Sequence, residues 1–337
     1  MDLLRTERSA LLDLVERFPR QHIVMWGDLV ADESVYGEIA RVSREAPVLI
    51  LKQRERLVLP GGGGNAANNL ADLDARVFPV SVIGDDETGE ALYRYFSDKQ
   101  VTMRHVIRVP KRLTPTKTRF LGGVTHWQRQ QIVRLDREPS GPLPPAIRDR
   151  LRRSVLSLSA RTSGLLVSDY GYGTTSAREA EIVRRRQRAK SIPFAVDSRF
   201  DLPSYKNFSA ATPNEPELEA VFGEQIGDNL ERLHTLGKKF LRRQGLGALL
   251  VTRGRDGVAL FEPRRPPRHI PVFGSEQAVD VTGAGDTVIA TFTLALAAGA
   301  SPLQAALLAN CAGGLVVMKR GTATVSRREI TEAIRNL

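Results

Sequence analysis

Near the C-terminal end, Asp280-Val281-Thr282-Gly283-Ala284-Gly285-Asp286 joins a glycine turn to a carboxylate at the head of an apolar stretch, TVIATFTLALAAG. A Gly-Ala-Gly turn feeding a helix leaves the first backbone N–H groups unpaired and pointing outward. With the positive end of the helix dipole they make an anion site. Glycine there lets a phosphate approach the main chain closely. Asp286, in the first helical turn, is placed to take the proton of an attacking hydroxyl while the backbone amides steady a transferring phosphoryl group. An ordinary helix start with an acidic first turn uses the same residue types, so physics alone leaves both readings open.

Three other stretches carry candidate chemistry. Pro60-Gly61-Gly62-Gly63-Gly64-Asn65-Ala66-Ala67-Asn68-Asn69 precedes a helical pattern; it lacks the Lys-Ser/Thr of a P-loop and the spacing of a dinucleotide fingerprint. Thr212-Pro213-Asn214-Glu215-Pro216-Glu217 reads as a helix start with Asn214 as cap and Glu217 three residues on. Thr252-Arg253-Gly254-Arg255-Asp256-Gly257 follows an apolar run and fits a strand-turn-strand hairpin.

These residues need elements to hold them. The apolar runs at 22–26, 77–83, 164–168, 193–196 and 248–252 have the character of buried strands. Helical patterns such as 88–99 and 176–190 lie between several of them. Strands alternating with helices predict a mainly parallel sheet covered on both faces. Around 35–58 and 113–136 the chain mixes β-branched, apolar and charged residues with no helix between, which predicts a small second sheet inserted as a lid. After 280 the pattern is helical through 285–298, 302–319 and 326–336. One large α/β domain spanning 1–337, with that lid, is expected.

Composition narrows the class. The chain has 337 residues, 42% hydrophobic and 26% charged, enough for a sizeable core. Its single cysteine, Cys311, excludes an internal disulfide and leaves a zinc cluster without ligands; a small buried core residue is expected there. The N-terminus MDLLRTERSALLDLVERF alternates charge with apolar residues, unlike a signal peptide, and VIATFTLALAAGA is too short to span a bilayer. A cytoplasmic protein with no membrane partner is expected. The net charge of +11 raises the question of nucleic acid. The strongest basic run, Arg184, Arg185, Arg186, Arg188 and Lys190, has no aromatic residue interleaved for base stacking. It reads as a solvated helix face, with some of the positive charge free to attract a phosphorylated substrate.

The 280–286 segment resembles the C-terminal signature of the PfkB carbohydrate kinases, commonly Asp-Thr-Gly-Ala-Gly-Asp, with one residue inserted or shifted. The resemblance implies a ribokinase-like α/β fold in three layers, with ATP and Mg²⁺ as nucleotide and metal. It implies that Asp286 is the base and that the amides of Gly283, Ala284 and Gly285 form the anion hole. The glycine cluster is similar to the family's other signature, which implies sugar contacts at Gly61, Gly62 and Asn65. Asp28, after the first strand, matches the family's early Gly-Asp pair, also implied to grip sugar hydroxyls. Asn214 and Glu217 match an Asn-x-x-Glu motif implied to hold Mg²⁺ and the nucleotide phosphates, with Glu217 the metal-side carboxylate. Thr252, Gly254 and Gly257 resemble the loop under the base and ribose, and Asn310 lies where the family often contacts the purine.

A finer resemblance runs along nearly the whole chain. Arg41-Val42-Ser43-Arg44-Glu45-Ala46-Pro47-Val48 looks like a segment of D-glycero-D-manno-heptose 7-phosphate kinases, the kinase half of a bifunctional ADP-heptose synthesis protein. Thr116 to Arg119, Gln130 to Asp136, Ser168-Asp169-Tyr170 and Lys319-x-Gly321-Thr322 are similar to the same subfamily. The resemblance implies a 1,7-bisphosphate product and a role in lipopolysaccharide precursor synthesis. Lys117, Arg119 and Arg134 on the lid strands suit an acceptor that already carries phosphate, although solvated strand faces would also display them. The resemblance further implies that Asp169 holds a sugar hydroxyl. Tyr172 stands where the subfamily has lysine, Ser198-Arg199 where it has Pro-Lys, and Gly63 and Gly64 where it has alanines. A PfkB kinase for another sugar, or a non-catalytic binding protein, are the alternatives. The chain ends at Leu337 without room for a nucleotidyltransferase half, so a kinase alone is expected, as a homodimer because exposed lid strands invite a partner.

Overall fold

The computed structural model describes residues 2–123, 130–187, 192–275 and 277–337. In chain order the first strands are β1 (His22–Gly27), β2 (Leu29–Val42), β3 (Leu49–Gly62), β4 (Arg76–Gly84), β5 (Val106–Val109), β6 (Thr116–Gly123) and β7 (Gln130–Arg137). Then come β8 (Gly164–Asp169), β9 (Phe194–Ser198), β10 (Ala210–Ala211), β11 (Ala248–Thr252), β12 (Val258–Phe261) and β13 (Arg268–Ile270). The earlier helices are α1 (Asp2–Glu16), α2 (Gly63–Asp72), α3 (Glu87–Asp98), α4 (Pro145–Ser159) and α5 (Ala177–Arg186). The later ones are α6 (Glu215–Phe222), α7 (Leu230–Gln244), α8 (Ala284–Ala297), α9 (Pro302–Val316) and α10 (Arg327–Arg335).

The central sheet has the order β13-β12-β11-β10-β9-β8-β1-β4-β5. Its strands from β5 to β11 pair in parallel, and β12 and β13 add an antiparallel edge. Side chains alternate across each strand, and the core divides accordingly. Ile23 and Met25 of β1 join Leu166, Ala195 and Leu250 against α1, α2, α8, α9 and α10. Val24 and Trp26 join Leu165, Val167, Val196, Leu249 and Val251 against α4, α5, α6 and α7. These strands are apolar on both sides because both sides are covered. Cys311 is buried in the first of these layers.

The order reverses at β1, which pairs with β4 on one side and β8 on the other. Open α/β sheets bind ligands outside the carboxyl ends of the strands at such a reversal. Asp28, Asp169, Asp197 and Thr252 all sit at those ends.

A second sheet has the order β3-β2-β6-β7, with β2 and β6 parallel and the outer pairs antiparallel. It starts earlier than residue 35, because β2 begins one residue past the end of β1. Register fixes its faces: Asp32 lies opposite Lys117, Lys117 opposite Asp136, and Arg119 opposite Arg134. Directly paired residues share a face, so these charges stand together. Phe120, Val133 and Leu135 take the other face.

In the basic run, Arg184 and Arg185 both pair with Glu181 at 2.6 Å on α5, as a solvated helix does. Arg188 and Lys190 lie outside the described residues. Among the described residues no helix is long and apolar enough to cross a membrane.

Candidate active site

α8 begins at Ala284, after Gly283 in the left-handed region at φ 76. Asp286 is buried in its first turn, and both carboxylate oxygens are engaged. Asn65 Nδ2 donates to Oδ2 at 3.0 Å and the Tyr170 hydroxyl donates to Oδ1 at 2.8 Å. Burial pushes the Asp286 carboxyl up to about 6, with nearby Asp32 adding to the rise and the two donors and Lys117 opposing it. That value suits a group that must accept a proton near neutrality.

Asn65 is held in turn. Its Oδ1 accepts from Asn69 Nδ2 at 3.1 Å, and Asn69 Oδ1 accepts from the Thr287 hydroxyl at 2.9 Å. Asn65 Nδ2 also donates to the Gly283 carbonyl at 3.2 Å. The glycine cluster therefore splits: Gly61 and Gly62 end β3, while Gly63 and Gly64 open α2 and carry Asn65 to Asp286. Gly61 matters for space, since a Cβ there would lie 2.8 Å from Asp32 Oδ2.

Asp32 was not among the residues singled out from sequence. It is 8% exposed, accepts from Thr322 Oγ1 at 2.9 Å, and pairs with Arg119 at 2.5 Å. An acid inside the apolar run LVADE is the signal that could have found it. Lys117 lies across from it with its ammonium 5.6 Å from the Tyr170 ring centre. Burial, then the charge of Arg199, lower the Lys117 pKa. Lys117 and Arg199 have no salt bridge among the described residues, although five acids interact electrostatically with one or the other: Asp32, Asp136 and Asp286 with Lys117, Asp197 and Glu217 with Arg199. Arg134 differs: it is paired with Asp136 at 2.9 Å on its own strand.

Asp28 and Asp169, expected from the resemblance to grip sugar hydroxyls, are anchors here. Asp28 accepts from the backbone N–H of Tyr170, Tyr172 and Thr174 at 2.9, 3.1 and 3.1 Å. Asp169 accepts from Gly171 N, the Ser198 hydroxyl and the Tyr205 hydroxyl at 3.0, 3.1 and 2.8 Å. A buried carboxylate is costly unless satisfied; the loop after β8 satisfies Asp28, and Gly171 of that loop with Ser198 of β9 and Tyr205 satisfies Asp169. Tyr172 donates its hydroxyl to Glu138 at 3.0 Å.

A cavity of about 410 Å³ opens beside the helix start. Thr252, Gly254, Gly257, Ala284, Gly285 and Asn310 line it, joining the β11–β12 hairpin to the anion site. The Asn310 amide donates to the Pro271 carbonyl at 2.7 Å, so it lines the cavity with its position fixed. Asn214 and Glu217 form a capping box at 2.8 and 3.0 Å. Glu217 is raised by burial, and Asp197 is raised by burial and then by Asp286 and Glu217. An acid raised by two neighbouring acids marks a locally negative place that suits a cation. Among the described residues no three His, Cys, Asp or Glu side chains cluster as a metal site.

A buried carboxylate at a helix start, an adjoining cavity and nearby cations are the parts that phosphoryl transfer to an alcohol requires. The pfkB family carbohydrate kinase pattern matches residues 21–138 and 174–329, and the chain belongs to that family. It is an ATP-dependent phosphotransferase.

The chain is 40% identical over 305 residues to the Bifunctional protein HldE of Geobacter metallireducens, covering 90% of this chain and 61% of that protein. It is 35% identical over 329 residues to the Bifunctional protein HldE of Pelobacter propionicus, covering 97% and 66%. The chain thus spans less than two thirds of the length of these relatives. The structure resembles Arabidopsis thaliana ribokinase complexed with ribose and ATP, with a TM-score of 0.71, 20% identity, and 93% and 98% of the two chains covered. It also resembles phosphofructokinase-2 from Escherichia coli, with a TM-score of 0.74, 18% identity, and 94% and 99% covered. The fold is ribokinase-like.

Proposed function

We propose that this kinase phosphorylates D-glycero-D-manno-heptose 7-phosphate on its anomeric hydroxyl, giving the 1,7-bisphosphate. The observation that carries a phosphorylated acceptor is the pair Lys117 and Arg199, neighbouring cations without salt bridges among the described residues, with Lys117 near Asp286. The heptose itself rests on the segments Arg41 to Val48, Gln130 to Asp136 and Ser168 to Tyr170, and on relatives named HldE.

In this reading Asp32 holds an acceptor hydroxyl, Asp286 takes the anomeric proton, the oxygen so freed bonds to the γ-phosphorus of ATP, and the bond from that phosphorus to the bridging oxygen breaks to release ADP. The amides of Gly283, Ala284 and Gly285 receive the charge on the transferring group. Thr252, Gly254, Gly257 and Asn310 hold the nucleotide. Glu217, with Asn214 fixing its position and Asp197 nearby, would hold Mg²⁺, which when bound neutralises phosphate charge. Asp28 and Asp169 act through the loop they anchor. A cytoplasmic enzyme is part of this reading, since ATP is its phosphoryl donor. A different sugar phosphate is a second reading, favoured by Tyr172 and its bond to Glu138 where the subfamily carries lysine.

Phosphorus NMR of the product tests the assignment: a new phosphate coupled to the anomeric proton is expected, and a phosphate on any other carbon refutes it. Asp32→Ala is expected to raise the acceptor KM about 30-fold with the KM for ATP unchanged, the loss of a charge-assisted hydrogen bond. The pH profile follows from Asp286. Its carboxyl is held above its ordinary value, so the base form is lost as pH falls through about 6. kcat/KM should fall about tenfold per pH unit below that point and stay level above it.

The apolar face with Phe120, Val133 and Leu135, the last two 52 and 53% exposed, supports a homodimer joined through the second sheets. Light scattering should give twice the chain mass, and Leu135→Glu should reduce it to one.

A further inference from the structure

The bond from Tyr170 to Asp286 is of the kind an acceptor hydroxyl must make before it gives up its proton. Donor type, target atom and the 2.8 Å distance all match. The two donors at the base differ in how they are held. Asn65 is fixed by the Asn69–Thr287 chain between α2 and α8. Tyr170 sits on the loop after β8, tied by its backbone to Asp28, with its ring facing the Lys117 ammonium at 5.6 Å.

We infer that the Tyr170 hydroxyl is an internal stand-in for the acceptor, occupying the base until a phosphorylated sugar displaces it. The inference rests on the kinase reading. Burial, then the Asp286 carboxylate, push the phenol well above its ordinary value, so Tyr170 donates a hydrogen bond without losing its proton. The cation–π contact with Lys117 steadies the ring. An acceptor phosphate that draws Lys117 away removes that support, coupling recognition of the phosphate to release of the base.

The stand-in guards against water. In the wasteful reaction a water oxygen bonds to the γ-phosphorus, the bond from that phosphorus to the bridging oxygen breaks to release ADP, and the water proton passes to Asp286. With Tyr170 in place, the oxygen that would take that proton is already occupied.

Tyr170→Phe removes the hydroxyl and keeps the ring, and a thermal melt matching the wild type would show that packing persists. Hydrolysis of Mg-ATP without acceptor is expected to rise about tenfold, the worth of one charge-assisted hydrogen bond. The KM for heptose 7-phosphate, or whichever sugar phosphate is turned over, is expected to fall several-fold with kcat little changed. Flat hydrolysis with a lowered kcat would overturn the inference and make Tyr170 a permanent positioning residue of the base. Wild-type turnover measured alongside separates the two levels. Its absence on every sugar phosphate counts against the kinase reading, whereas its presence with a flat Tyr170→Phe response counts against the stand-in alone.

Discussion

Asp286→Asn is expected to lower kcat by about 10³-fold while leaving the dissociation constant for ATP within about twofold of the wild type. The side chain keeps its size, so the helix start and the nucleotide cavity keep their shape. What is lost is the capacity to take a proton, and with it the negative charge that orients an acceptor hydroxyl. The split between chemistry and nucleotide binding is diagnostic. Acceptor-dependent ADP release and calorimetric ATP titration on the same preparation measure both. Undiminished turnover would remove Asp286 from the mechanism, and lost ATP binding would show that the substitution damaged the fold of the site.

Gly283→Ala is expected to cost about 10²-fold in kcat and about 1–2 kcal/mol in stability, because two physical demands meet at one Cα. The residue is at φ 76, a conformation costing an L-residue about 1–2 kcal/mol. A Cβ there would also lie 2.4 Å from Asn65 Nδ2 and 3.2 Å from Thr322 Cγ2. Asn65 must then leave Asp286, or the turn must shift and re-aim the amides at the head of α8. Losing one such amide donor alone costs about 10²–10³ in rate. Gly285→Ala separates the two demands, since a Cβ there meets no protein atom within 4 Å and leaves Asn65 undisturbed. That Cβ projects where the nucleotide is proposed to sit, so the substitution is expected to raise the KM for ATP with stability little changed.

Much of this was legible in the sequence, for reasons that are local. The strands at the sheet centre show as apolar runs because helices cover both sides, and the turn before α8 shows because glycines and a first-turn acid are neighbours in the chain. The second sheet also shows in its alternating charges, although it starts earlier than its charges suggest: after Gly27-Asp28 the apolar Leu29-Val30-Ala31 carries β2 out of the main sheet.

What sequence did not reveal depends on partners far along the chain. Asn65 and Asp286 are 221 positions apart, and Tyr170 and Asp286 are 116 apart. No spacing rule links them. Asn65, expected from the resemblance at the sugar, donates to Asp286. Asp28 and Asp169 illustrate the same limit: an acid at a strand end is a candidate ligand until the fold shows which donors already satisfy it. The reverse held for Asp32, an acid in an apolar run whose neighbours Thr322 and Arg119 come from distant segments.

The most direct test of a phosphorylated acceptor is a panel followed by ADP release. Purified protein with Mg-ATP is offered heptose 7-phosphate, fructose 6-phosphate, ribose and nucleosides. The expected result is turnover strongest with heptose 7-phosphate and weak with the unphosphorylated acceptors, whose contacts leave Lys117 and Arg199 unused. Ribose or a nucleoside turned over as well as any sugar phosphate would contradict the account, because the cations beside Asp286 would then have no part in choosing the acceptor.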